Sequence, residues 1–149
     1  MTTVLIVDDV PAMAEQYAYD LRRLAGHDTL TARDGDTALE ILARESVDCV
    51  ILDLEMPGKD GFAVLRAMRE RDLEVPVVVY TGTGNFDRCV QAVRLGAYSF
   101  VDKADSVERV AREVENAIGR RMLVAEVTAL RRYATDDSAL RGSSPAMQR

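Results

Sequence analysis

Five short strand patterns, three of them wholly apolar runs and each followed by a segment with helical spacing, constrain this chain more than any other feature. Val4-Leu5-Ile6-Val7, Cys49-Val50-Ile51-Leu52 and Val77-Val78-Val79-Tyr80 lack the polar alternation of a half-exposed strand. Continuous runs of this kind read as strands buried on both faces of a parallel sheet. A shorter strand is expected near Thr29 to Ala32, and a fifth over Tyr98 to Val101. Helical patterns fill the intervals at about Pro11 to Ala25, Asp36 to Glu45, Phe62 to Glu70 and Phe86 to Leu95, and a last helix starts near Asp105. Gly26 and Gly96 stand where helices stop, and Pro76 stands just before a strand.

Regular alternation of this kind gives a parallel sheet with helices on both faces. Five strand-helix pairs fit an α/β fold of the flavodoxin-like (βα)5 type, a doubly wound sheet with strand order 2-1-3-4-5. The 149 residues suffice for one such domain and a modest appendage. The formal net charge of −6 weighs against direct nucleic-acid contact by this chain. No apolar stretch approaches the ~20 residues of a membrane span. The N-terminus enters a strand with no basic and then apolar leader, so a cytoplasmic protein is expected. Cys49, in a strand, and Cys89, on a helix, are expected to be free and structural. The single histidine, His27, sits in a helix-to-strand turn, and one histidine without a second to join it is not expected to be a metal ligand or a base.

Open α/β sheets bind ligands beyond the carboxyl ends of their strands. Here those ends carry chemistry. The first run ends in Asp8-Asp9, the third in Asp53, the fourth in Thr81, and the fifth delivers Lys103. Side-by-side strands would bring three carboxylates, a hydroxyl and an ammonium to one edge. Clustered carboxylates repel one another and resist ionisation unless a cation shares the site. Asp8, Asp9 and Asp53 are hard oxygen ligands suited to Mg2+. Asp53 could then act as a nucleophile and form an acyl phosphate. Mg2+ and Lys103 would supply charge stabilisation, and the Thr81 hydroxyl and Gly82 amide would bind phosphoryl oxygens. Lysine suits the task as a compact charge on a flexible stem.

Each element alone has a plain structural explanation. Acidic residues are common in loops, a lysine after a strand is usually solvated, and Thr81 could cap a turn. Thr81-Gly82-Thr83-Gly84 is not a P-loop, because no Gly-Lys-Thr or Gly-Lys-Ser ending follows. The ordered set carries the signal. A haloacid-type phosphohydrolase would need Asp-x-Asp after the nucleophile strand, whereas Asp53-Leu54-Glu55 offers only Glu55 there.

Val4-Leu5-Ile6-Val7-Asp8-Asp9, Asp53-Leu54-Glu55-Met56-Pro57-Gly58-Lys59-Asp60-Gly61, Tyr80-Thr81-Gly82 and Gly96-Ala97-Tyr98-Ser99-Phe100-Val101-Asp102-Lys103 together resemble the receiver domain of bacterial two-component response regulators. The resemblance covers about Thr3 to Ile118. It implies that Asp53 accepts phosphate from a phosphohistidine on a sensor histidine kinase. It implies Mg2+ bound by Asp8, Asp9, Asp53 and the backbone carbonyl of Glu55. Thr81 and Phe100 occupy the positions of the family's switch pair, which biases a surface made by the fourth helix, fifth strand and last helix. Glu55 and Thr83 sit where the family tunes the lifetime of the phosphoryl group. No enzymatic turnover is implied beyond self-phosphorylation and slow autodephosphorylation. One departure is plain: the family usually has proline after the lysine, often with a cis bond, and here Ala104 follows Lys103. A cis bond to a non-proline residue costs ~3 kcal/mol, so a trans Lys103-Ala104 bond or a reshaped loop is expected.

The helical pattern continues past Ile118 to about Tyr133. Val114, Ile118, Met122, Val127, Leu130 and Ala134 recur at spacings that could make a helix-helix seam, although Arg121 and Thr128 interrupt it. Residues 119–141 are therefore expected to be a helical linker and flexible segment, able to dimerise or simply solvated. Gly142-Ser143-Ser144-Pro145-Ala146-Met147-Gln148-Arg149 resembles the opening of the AAA+ ATPase domain in NtrC-like, sigma-54-dependent activators. The order of receiver, linker and this segment implies a receiver that regulates an AAA+ domain in cis, with homodimerisation through the linker or the face around the fourth helix. The alternative is a stand-alone receiver that binds a separate partner when phosphorylated.

Overall fold

The computed structural model of the protein describes residues 2–82 and 85–140, with side chains to 132. Thr83 and the segment 142–149 lie outside the described residues, and so do the expectations placed on them. The elements alternate as the hydrophobic pattern dictates: β1 (Thr3–Val7), α1 (Pro11–Ala25), β2 (Asp28–Ala32), α2 (Gly35–Arg44), β3 (Cys49–Asp53), α3 (Gly61–Glu70), β4 (Val77–Thr81), α4 (Phe86–Arg94), β5 (Ser99–Asp102) and α5 (Val107–Leu140). All strand pairs are parallel, in the order β2-β1-β3-β4-β5. α5 starts two residues later than the sequence suggests. The Asp105 carboxylate accepts the amide of Asp102, and it is Ser106 whose hydroxyl meets the Arg109 amide in the first turn.

Successive strand residues point to opposite faces, and two separate cores result. Leu5, Val7, Val50, Leu52 and Val79 pack against Leu39, Leu42, Phe62 and Leu65 of α2 and α3. Val4, Ile6, Ile51, Val78 and Tyr80 pack against Ala14, Tyr17 and Leu21 of α1 and Val110, Val114 and Ile118 of α5. Each fully buried Val, Leu or Ile contributes roughly 1.5–3 kcal/mol, which is why the continuous apolar runs lie in the sheet's interior. Cys49 and Cys89 are buried thiols that form no disulfide with each other, as expected.

Local sequence positions the edge above the strands. Asp60 caps α3 by accepting the Ala63 amide at 2.9 Å. Gly61 lets α3 begin directly beneath the end of β3: a Cβ there would lie 2.6 Å from the Asp53 carbonyl oxygen. No cis peptide bond occurs among the described residues, so Lys103-Ala104 is trans, as expected. The loop is instead held by the Asp102 carboxylate, which accepts the Ala104 amide at 2.7 Å.

The chain divides into a compact unit ending at Ile118 and a second unit beginning at Gly119. In the second, Met122, Leu123, Val124, Val127 and Leu130 are exposed apolar residues. The seam read in the sequence therefore splits: Val114 and Ile118 belong to the core of the first unit, whereas Met122, Val127 and Leu130 are exposed, and the side chain of Ala134 lies outside the described residues. No described helix is long and apolar enough to cross a membrane.

His27 has a structural role that its place in the sequence does not reveal. It is buried, and its ring nitrogens meet the Thr2 hydroxyl and the Glu115 carboxylate. The partner on α5 lies 88 residues away, beyond the reach of local pattern.

Candidate functional site

Sheet register assembles the strand ends. Asp53 pairs with Tyr80 and Thr81 with Asp102, while Val7 beside Leu52 brings Asp8 level with Asp53. Asp8, Asp9 and Asp53 each offer a carboxylate oxygen within 4.8 Å of the others. The Lys103 ammonium lies 3.3 Å from Asp53 Oδ1 and 3.8 Å from Glu55 Oε1. Asp53 Oδ1 also accepts the Glu55 amide at 2.9 Å. Asp53 Oδ2 is buried with no hydrogen-bond partner among the described residues. A buried carboxylate oxygen left unsatisfied, within a group of three acids, is the arrangement a divalent cation would complete.

The electrostatics agree. Burial pushes the Asp53 carboxyl up to about 6, and the Asp8 charge adds to the rise; the Glu55 amide and Lys103 oppose it. Lys103 alone is thus insufficient to hold Asp53 in an ordinary carboxylate range.

Thr81 is placed as expected, but its hydroxyl is engaged. It donates to Glu55 Oε1 at 2.9 Å, and the Gly82 amide donates to the same oxygen at 3.0 Å. These two donors are the ones assigned from sequence to phosphoryl oxygens. The Gly82 amide first, then the Thr81 hydroxyl and Lys103, hold the Glu55 carboxyl below its usual range. An acidic side chain thus stands where an anionic group would be received.

Phe100 lies apart from the acids. It is half-buried on β5, its ring edge-on to the exposed Phe86 ring at 6.0 Å. A cleft of about 220 Å³ beside it is lined by Thr81, Asn85, Phe86 and Arg109 among others.

Three contacts escaped the sequence reading. The Glu55 side chain makes one: the resemblance puts it where the family tunes the phosphoryl lifetime, but not in the grip of the Thr81 hydroxyl and Gly82 amide. Tyr80 makes another: its hydroxyl donates to Asp8 Oδ2. A tyrosine closing a Val-Val-Val run signals a buried phenol in need of a partner. Arg88 makes the third. It lies over the Phe62 ring at 5.1 Å and donates to the Leu54 carbonyl at 3.3 Å, tying α4 to the loop after β3.

Comparison with known proteins agrees with this geometry. The model of the response regulator receiver domain matches residues 4–115. The chain is 32% identical over 150 residues to the C4-dicarboxylate transport transcriptional regulatory protein DctD of Rhizobium meliloti, covering 99% of this chain and 32% of that protein. It is 33% identical over 144 residues to the response regulator protein PilR of Pseudomonas aeruginosa, covering 97% and 31%. The chain thus spans about a third of the length of these curated relatives. Among solved structures, NtrX from Brucella abortus in complex with ADP superposes with a TM-score of 0.82 at 34% identity, over 87% of this chain and 30% of that one. A receiver domain protein from Clostridium thermocellum gives 0.77 at 27% identity, over 83% and 99%. With matched residues running from β1 into α5 and the acidic edge in place, the chain belongs to the response regulator receiver domain family.

Proposed function

We propose that this chain accepts a phosphoryl group on Asp53 from a phosphohistidine of a sensor histidine kinase and uses it to regulate an attached sigma-54-type AAA+ transcriptional activator. The observation that carries the reading is the buried Asp53 carboxylate, 3.3 Å from Lys103 and clustered with Asp8 and Asp9. An Asp53 oxygen attacks phosphorus, the bond from phosphorus to the histidine nitrogen breaks, and the imidazole takes up a proton on leaving. Bound Mg2+ would, together with Lys103, offset the charge of the three acids and polarise the phosphoryl group; Asp8, Asp9, Asp53 and the Glu55 carbonyl would hold it. Lys103 follows the negative charge onto the product. Thr81 and Gly82 exchange the Glu55 carboxylate for phosphoryl oxygens, since one set of donors cannot serve both. Release of Thr81 from Glu55 is then the event that Phe100, next to the cleft behind Thr81, reports to α4, β5 and α5. The chain turns over no other substrate, and it works in the cytoplasm.

Two features support a regulatory output. The relatives are regulators of which this chain spans about a third, and the apolar residues from Met122 to Leu130 are exposed as a dimerising helix requires. A second reading, a receiver that binds a separate partner, draws on the exposed Phe86 beside Phe100.

The test is incubation with Mg2+ and a small phosphodonor, read by intact mass. The wild type gains one acid-labile phosphoryl group, and Asp53→Asn gains none. No uptake by the wild type, or equal uptake by both, refutes the mechanism.

A further inference from the structure

Tyr80 is fully buried near the end of β4, on the same face of the sheet as Val78. A buried phenol without a partner costs a few kcal/mol, so its hydroxyl must be satisfied. The Val7 carbonyl is 3.5 Å away, too long to serve. Its partner is Asp8 Oδ2. The other Asp8 oxygen accepts the Val10 amide at 2.8 Å. Both ends of the carboxylate are therefore gripped, and rotation about its terminal bond is blocked. A carboxylate has about four acceptor sites, so sites remain for a cation or its water. The Tyr80 ring meets Tyr17 edge-on at 5.2 Å, which fixes the phenol in turn. On its other side, the Lys103 ammonium lies 5.5 Å from the ring centroid, within cation-π range. One side chain thus touches both Asp8, one of the three clustered acids, and Lys103, the ammonium beside Asp53.

We propose that Tyr80 is a positioning residue for the cation site: its hydroxyl sets the Asp8 carboxylate for Mg2+, and its ring supports Lys103. The inference rests on the phosphoacceptor reading and deepens it. Outer partners of this kind fix ligand orientation, and their removal commonly costs 10- to 100-fold in metal affinity. Tyr80→Phe removes the hydrogen bond and keeps the ring, whereas Tyr80→Leu removes both.

The experiment measures Mg2+ affinity of the full chain by calorimetry, and beryllofluoride affinity at saturating Mg2+. Tyr80→Phe is expected to weaken Mg2+ binding about tenfold while leaving beryllofluoride affinity within about twofold. Tyr80→Leu is expected to weaken both. Mg2+ binding by Tyr80→Phe as tight as wild type, or tighter, overturns the proposal. A reading that needs no variant stands beside it: Mg2+ saturation of the wild type should shift the Tyr80 ring resonances and leave those of exposed Tyr19 in place. An unmoved Tyr80 signal also overturns it. Should the wild type bind no Mg2+ at all, the phosphoacceptor reading itself fails; should it bind while Tyr80→Phe binds equally, only the role of Tyr80 fails.

Discussion

At the amino ends of the strands, His27 is buried at 4% exposure, yet both ring nitrogens have partners, Thr2 and Glu115. Nearby, the Asp48 carboxylate accepts the Thr3 amide at 2.8 Å. At the carboxyl ends, Asp8, Asp53 and Thr81 are buried as deeply, but one Asp53 oxygen has no partner among the described residues and the carboxyl is pushed up to about 6. The first end uses polar burial to fasten α5 to the sheet. The second leaves a buried charge incompletely compensated, so that a ligand can complete it. One sheet therefore separates a stabilising end from an end that gives up stability for chemistry.

The largest effect expected is at the stabilising end. His27→Ala removes a buried ring and leaves its partners unmatched, which costs about 2–3 kcal/mol in urea unfolding. Phosphoryl uptake per folded molecule should be unchanged. Loss of uptake without loss of stability would erase the distinction between the two ends.

A pH series sharpens the comparison at the other end. Asp53 rises from an ordinary 3.8 to about 6 on folding. The folded state therefore holds its proton over that interval while the unfolded chain has lost it. Stability from this group is present below about pH 4, falls as pH rises toward about 6, and stays lost above it. Without metal, wild type and Asp53→Asn should be nearly equal in stability near pH 4 and diverge near pH 7, the variant being the more stable; the shift corresponds to ~3 kcal/mol, which solvent screening at the open edge of the sheet reduces to ~2 kcal/mol. Parallel pH curves would remove the claim that Asp53 is buried at a cost.

Glu55→Gln carries the smallest effect. It weakens the hold on Thr81 and Gly82, so beryllofluoride should bind about threefold to tenfold more tightly in the presence of Mg2+. Weaker binding would mean that Glu55 assists the anion rather than standing in its place.

Much of the carboxyl end was legible because the sequence writes it at strand ends. Asp8, Asp9, Asp53, Thr81 and Lys103 each close or follow an apolar run, and parallel register does the rest. Helix ends were less legible where side chains compete for backbone amides, as Asp105 does at the start of α5. Contacts between residues far apart in the chain were not legible at all. Tyr80 meets Asp8 across 72 residues and His27 meets Glu115 across 88, and no local pattern encodes which polar group a buried one will find. Glu55 shows a third limit: its backbone role followed from resemblance, but where its carboxylate rests depends on the geometry of the β4 end.

The most direct test compares urea unfolding of wild type and Asp53→Asn near pH 7.5, each in chelator and in saturating Mg2+. In chelator the variant should be more stable by the same screened ~2 kcal/mol. Mg2+ should stabilise the wild type by about 2–3 kcal/mol at a hundredfold excess over its dissociation constant, and the variant by much less, so the gap closes. Equal stability in chelator, or the same Mg2+ gain in both proteins, would contradict the account.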